Sequence, residues 1–169
     1  MKLKKTTTQK VITLEQFNEF FRSIINLPIN LVWRGYGSAV FLEIGEISEK
    51  VIYNTKRDKS RIVKEGQFGL MIEWSWRVEK QKSIYFGSWS TDRIIDNRLP
   101  KLQHKTIKNI EVIGRLPELI IEISDGLWLH SFATSESQPR WCLFLNRNEQ
   151  PKKWIISEKG KLILETEQS

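Results

Sequence analysis

The chain has 169 residues, with 27 Lys and Arg against 20 Asp and Glu, a net charge of +7, and 40% hydrophobic against 28% charged residues. Those proportions exclude a disordered polymer, and a chain of this length buries roughly 70% of the surface its unfolded form exposes. The single cysteine, Cys142, excludes an intrachain disulfide, and no apolar run approaches the roughly 18 residues that span a bilayer.

Residues 1–10 read as a disordered basic tail, and residues 11–169 as one β-rich domain. Met1-Lys2-Leu3-Lys4-Lys5 starts like a signal peptide, but polar Thr6-Thr7-Thr8-Gln9-Lys10 stands where the apolar stretch belongs. With the cysteine usage, this points to the cytoplasm.

Thr13-Leu14-Glu15-Gln16 has the form of a capping box. Leu14, Phe17, Phe21 and Ile24 follow at helical spacing, widened by Phe20 and Ile25, and Pro28 lies just beyond. The spacing predicts an amphipathic helix over 13–26, packed on a sheet.

After Pro28 the period changes to two. Residues 30–36 and 38–45 read as strands joined at Gly35-Tyr36-Gly37. Residues 68–79 read as one long strand, with Ile72, Trp74, Trp76 and Val78 on one face and Glu73, Ser75, Arg77 and Glu79 on the other. A hairpin turn at 79–82 leads into a strand over 82–90. Residues 106–115, 119–124 and 127–132 follow, the last two joined by Asp125-Gly126, a strong hairpin signal. Residues 140–145 form an apolar strand containing Cys142, which reads as a small buried hydrophobe. Residues 154–157 and 161–165 flank Lys159-Gly160 as a terminal hairpin. Residues 54–64 and 91–105 read as loops.

The expected fold is mainly β (α+β): a bent antiparallel sheet, half-barrel or sandwich, with one N-terminal amphipathic helix packed on it. No strand–helix–strand alternation supports a parallel sheet.

The familiar catalytic signatures fail on particular residues. Gly35-Tyr36-Gly37 has Val40 where a dinucleotide fingerprint needs its third glycine. Gly87-Ser88-Trp89-Ser90 lacks the final glycine of a nucleophile elbow. His104, His130 and Cys142 are too few for a closed zinc site. No metal and no cofactor is expected. His130 reads as a structural histidine before a lone acid or base.

Three functions remain. The first is a non-enzymatic binding module that holds a protein partner or small ligand on an aromatic and Arg/Glu-lined surface of Trp33, Arg34, Glu43, Glu73, Trp76, Arg77, Glu79, Tyr85 and Trp89. A homodimer through an exposed strand edge belongs to the same picture. The second is nucleic-acid or nucleotide binding through the basic stretch 54–64, with Lys56, Arg57, Lys59, Arg61 and Lys64. The third is a hydrolase with a cross-strand carboxylate pair such as Glu43 and Glu73, which needs about 5–10 Å between the carboxyls. In type, a small tryptophan-rich chain with one helix and no cofactor motif is similar to bacterial immunity proteins that block a toxin, which implies a protein partner. That is an analogy of type, and it assigns no residue.

Overall fold

The computed structural model describes residues 7–54, 59–73, 75–134, 141–145 and 147–168. The strands are β1 (Thr7–Ile12), β2 (Ile29–Arg34), β3 (Val40–Asn54), β4 (Lys59–Ile72), β5 (Trp76–Lys80), β6 (Ser83–Gly87), β7 (Ile107–Ile113), β8 (Glu118–Ile123), β9 (Leu127–Ser131), β10 (Trp141–Leu145), β11 (Lys153–Glu158) and β12 (Lys161–Glu167). The helices are α1 (Leu14–Arg22), α2 (Asp92–Arg98) and a 3-10 turn over Leu99–Leu102. Two antiparallel sheets form a sandwich-like α+β architecture. The larger has the order β1-β12-β11-β10-β4-β3-β2 and the smaller β6-β5-β9-β8-β7.

Alternation on each strand builds one core between the sheets. Val40, Leu42, Ile44, Phe68, Leu70, Ile72, Trp141 and Leu143 come from the larger sheet, and Trp76, Val78, Leu119, Ile121 and Leu129 from the smaller. Burying a large apolar side chain contributes about 1.5–3 kcal/mol. Both buried indoles find acceptors: Trp76 Nε1 donates to the Ser38 carbonyl at 2.6 Å and Trp141 Nε1 to the Pro117 carbonyl at 2.9 Å. At one margin residues 26–29 stitch the sheets together. Asn26 N donates to Ile107 O and Ile29 N to Lys105 O, each at 2.7 Å, and Pro28 bridges Thr106.

The capping box at Thr13 forms as read: Gln16 N donates to Thr13 Oγ1 at 3.2 Å and Thr13 N to Gln16 Oε1 at 3.1 Å. Helix α1 stops at Arg22 rather than 26. The chain turns through Ile24, which is still buried, to Asn26 at φ 66°, where the bond to Ile107 fixes it. Asp125 and Gly126 take φ 63° and 67°, and Lys159 and Gly160 take 49° and 73°. These are the paired positive values that a two-residue hairpin turn requires.

Four readings are corrected. Residues 7–10 are not tail, because Thr7–Ile12 pairs with β12 from Thr7↔Glu167 to Ile12↔Leu162. Within the stretch 54–64, Asn54 and residues 59–64 are strand rather than loop, since β3 runs to Asn54 and β4 starts at Lys59 and the two pair antiparallel; residues 55–58 lie outside the described residues. Within 91–105 lie α2 and the 3-10 turn, because Ile95, Leu99 and Leu102 share a buried helical stripe.

The fourth concerns residues 68–79, which are two strands in different sheets. Ser75 at φ 79° breaks the extended chain, and Ser75 N and Trp76 N both donate to Ser88 Oγ, at 3.1 and 3.2 Å. Ile72, Trp76 and Val78 stay buried through the crossing because both sheets face the same core. Trp74 lies outside the described residues.

Candidate functional site

The outer face of the larger sheet carries an aromatic platform. The β2–β3 turn is closed by Gly35 N donating to Ala39 O at 2.8 Å, which sets Trp33 opposite Phe41. Their rings stack 4.9 Å apart, 1° from parallel. Phe41 also lies against Gly35, where an added Cβ would stand 2.6 Å from its ring, so only bare backbone fits. Next across the sheet comes Met71, opposite Phe41.

These residues, with Tyr36, Gly37, Ser38, Ala39 and Glu73, line a pocket of about 450 Å³. That lies within the size range of small-ligand sites. Glu73 places a carboxylate in the pocket, and among the described residues no cation pairs with it. The Trp76–Ser38 hydrogen bond anchors the turn to the core from behind.

Two exposed aromatics flank this end. Tyr36 is fully exposed at the turn. Trp89, 85% exposed, follows Ser88, whose hydroxyl holds Ser75 and Trp76.

Glu43 occupies the same outer face but a different environment. It is 0% exposed, accepting from Arg147 Nη1 at 2.6 Å and from Gly66 N at 2.7 Å. Gly69, opposite Glu43, leaves the space: a Cβ there would lie 2.2 Å from Arg147 Cζ. The guanidinium also lies over the Phe144 ring, 4.4 Å from its centroid. Burial dominates the Glu43 titration, pushing it up to about 7 against the opposing pull of Arg147 and Gly66 N–H. Beside it Lys50 pairs with Glu65 at 2.6 Å; burial raises the Glu65 carboxyl, but Lys50 and Arg147 together bring it below its ordinary value. A second pocket of about 240 Å³ lies here, lined by Phe144, Arg147, Lys152 and Trp154 among others.

The remaining surface residues separate. Glu73 lies four residues along β4 from Gly69, the partner of Glu43, which is about 13 Å of extended chain. That register does not assemble the carboxylate pair of a hydrolase. Arg34 points away from Trp33 and bonds Asp92 of α2 at 2.6 Å, with Asp96 at 3.6 Å. Trp76 is core.

Arg77 and Glu79 belong to the smaller sheet, where they pair at 2.5 Å; His130 Nε2 lies 3.3 Å from the other Glu79 oxygen. Burial lowers the His130 pKa, with Glu79 opposing and Arg77 assisting. Tyr85 takes Lys80 and Arg98 on its ring, at 4.3 and 4.7 Å. The proposed surface therefore divides, and only Trp33 and Glu73 meet in one pocket. Of the basic set, Lys56 and Arg57 lie outside the described residues. Lys59 opens β4, Arg61 is exposed, and Lys64 is exposed and 3.3 Å from Glu49.

Phe41, Met71 and Arg147 went unnoticed in the sequence, and Tyr36 was read only as part of a turn. Closing the hairpin at Gly35 and Ala39 would have found Phe41, since that turn fixes its register against Trp33. Nothing in the sequence joins Arg147 to Glu43, 104 residues away. Comparison with family models, curated proteins and solved structures gives no match. Among the described residues no three His, Cys, Asp or Glu cluster as metal ligands, and no helix is long and apolar enough to cross a membrane.

Proposed function

We propose that the chain is a binding module whose recognition element is the pocket at the β2–β3 turn, and that it accepts a planar cationic group. The observation that carries this reading is the stacked Trp33–Phe41 platform with the Glu73 carboxylate, unpaired among the described residues, in the same 450 Å³ pocket. Aromatic faces attract cations through their quadrupole, and a carboxylate adds charge complementarity. A guanidinium or amidinium group satisfies both, through its flat face and its forked N–H donors. Exposed Tyr36 and Trp89 at this end support a protein partner that presents such a side chain, with the aromatics as anchors around it. The distance between Glu43 and Glu73, and the occupation of Glu43 by Arg147, favour binding over hydrolysis.

The test is a titration with benzamidinium and with neutral benzamide of the same shape, followed by tryptophan fluorescence. Benzamidinium binds saturably and more tightly than benzamide. Glu73→Gln removes that preference, and Trp33→Leu weakens both probes. Failure of both probes to bind overturns the pocket. Equal binding of the two, unchanged by Glu73→Gln, overturns the cationic ligand.

A further inference from the structure

The smaller pocket on the outer face is built around a side chain with donors to spare. Arg147 rests on bare Gly69 and over the Phe144 ring, and only 14% of its side chain is exposed. A guanidinium carries more N–H donors than one carboxylate oxygen uses. Nη1 donates to Glu43 at 2.6 Å, and beyond Glu43 the guanidinium donates to no described residue. Donors removed this far from water ordinarily have acceptors. Arg147 lines the pocket of about 240 Å³, where an acceptor would complete its fork.

The surrounding charges say what kind of acceptor. Arg147, Lys152 and Lys153 line the pocket against one carboxylate, Glu65. Glu65 is already met by Lys50 at 2.6 Å, and Glu43 by Arg147. Among the described residues Lys152, which is half-buried, and Lys153 pair with no carboxylate. The excess is positive, and it favours an anion.

The rest of the lining is apolar. Trp154 is the cross-strand partner of Phe144, so both side chains stand on one face of the sheet. The indole N–H of Trp154 is tied to the Glu165 carboxylate, which fixes the ring, and among the described residues no other ring or cation stacks on it. The pocket is smaller than the roughly 300 Å³ at which sites for drug-sized molecules begin, so the anion is small. A carboxylate carried on a flat ring matches both halves of the lining: its coplanar oxygens fit a guanidinium fork, and its ring fits an indole face.

We infer that this pocket binds a small aromatic carboxylate, with its oxygens on the Arg147 fork and the Lys152 ammonium and its ring against Trp154. It is a second site, separate from the Trp33–Phe41 pocket and opposite to it in charge preference.

The experiment follows the assigned Trp154 indole resonance of the full chain in a nitrogen–proton correlation spectrum, during titrations with benzoate, neutral benzamide and inorganic phosphate. Benzoate shifts that resonance saturably and binds there at least about tenfold more tightly than benzamide. The Trp33 resonance stays in place. Arg147→Lys keeps a cation for Glu43 but removes the fork, and weakens benzoate about tenfold. Lys152→Gln breaks no ion pair and weakens benzoate about threefold. Thermal melts confirm the fold of both variants, and Lys152→Gln decides alone if Arg147→Lys is unfolded. A stationary Trp154, equal binding of benzamide, tighter binding of phosphate, or undiminished binding by either folded variant overturns the proposal. So does a benzoate shift of Trp33 in place of Trp154. Because the probe is an anion read at Trp154, its failure leaves the cation site at the β2–β3 turn standing.

Discussion

Replacing Arg147 with Met removes the one cation that, among the described residues, pairs with Glu43, a carboxylate that is 0% exposed. Breaking a buried pair from one side costs about 3–5 kcal/mol, because the remaining charge is left without compensation. Protonation relieves that cost, so the loss depends on pH. In the intact protein Glu43 titrates near 7 when folded against an ordinary 4.5. The native state therefore binds the proton more tightly than the unfolded chain does. The stabilisation from a protonated Glu43 is complete below about pH 4.5 and is lost as pH rises through 7; at about 1.4 kcal/mol per pH unit it amounts to about 3 kcal/mol.

Without Arg147 the folded value rises further and the window extends upward. Urea unfolding at pH 5 and pH 8 reads both effects. Protonation caps the pH-dependent part at the one unit between 7 and 8, so Arg147→Met loses about 1.4 kcal/mol more at pH 8 than at pH 5, and adding Glu43→Gln removes most of that difference. An equal loss at both pH values, or no rescue by Glu43→Gln, refutes the assignment of Glu43 and Arg147 as a buried pair.

Trp76→Phe leaves the Ser38 carbonyl without its 2.6 Å donor, which costs about 1–3 kcal/mol in urea unfolding and weakens benzamidinium binding by loosening the β2–β3 turn. Unfolding with unchanged stability would show the indole bond to be dispensable. Thr13→Ala removes the acceptor of the α1 capping box and lowers stability by about 1 kcal/mol, measured in the same assay. The Cys142 thiol, pushed up to about 12 by burial, reacts with a thiol reagent only as the protein unfolds. Labelling followed across a urea gradient tracks the unfolding curve, and rapid labelling of the native protein would place that thiol at the surface.

Much of the fold was legible because local signals agreed with tertiary need. Thr13 and Gln16 specify the start of α1 through reciprocal side-chain-to-backbone hydrogen bonds between residues three apart, and Asp125-Gly126 specifies its hairpin by backbone conformation alone. The errors arose where local patterns serve a long-range purpose. Ile72, Trp76 and Val78 keep a period of two across Ser75, so one uninterrupted strand and two strands facing a shared core read alike. Ile95, Leu99 and Leu102 form a helical stripe that three apolar residues among charges left inconspicuous. The mixed charges of 54–64 hid the alternation that makes Ile62 and Val63 part of β4.

The site followed the same division. Trp33 stood out beside polar neighbours, and its pocket partner Glu73 lay on the predicted polar face. Arg34 was separated from Trp33 by the pleat, which sends adjacent side chains to opposite faces. Glu43 and Arg147 meet only through the stacking of β10 beside β4, which no local pattern encodes.

The seven tryptophans give seven indole N–H resonances, and a nitrogen–proton correlation spectrum recorded during a benzamidinium titration reads them separately. The Trp33 indole shifts saturably, while Trp76 and Trp141, 1% and 0% exposed, stay fixed. A stationary Trp33, or a uniform drift of all seven, would contradict recognition at the β2–β3 pocket.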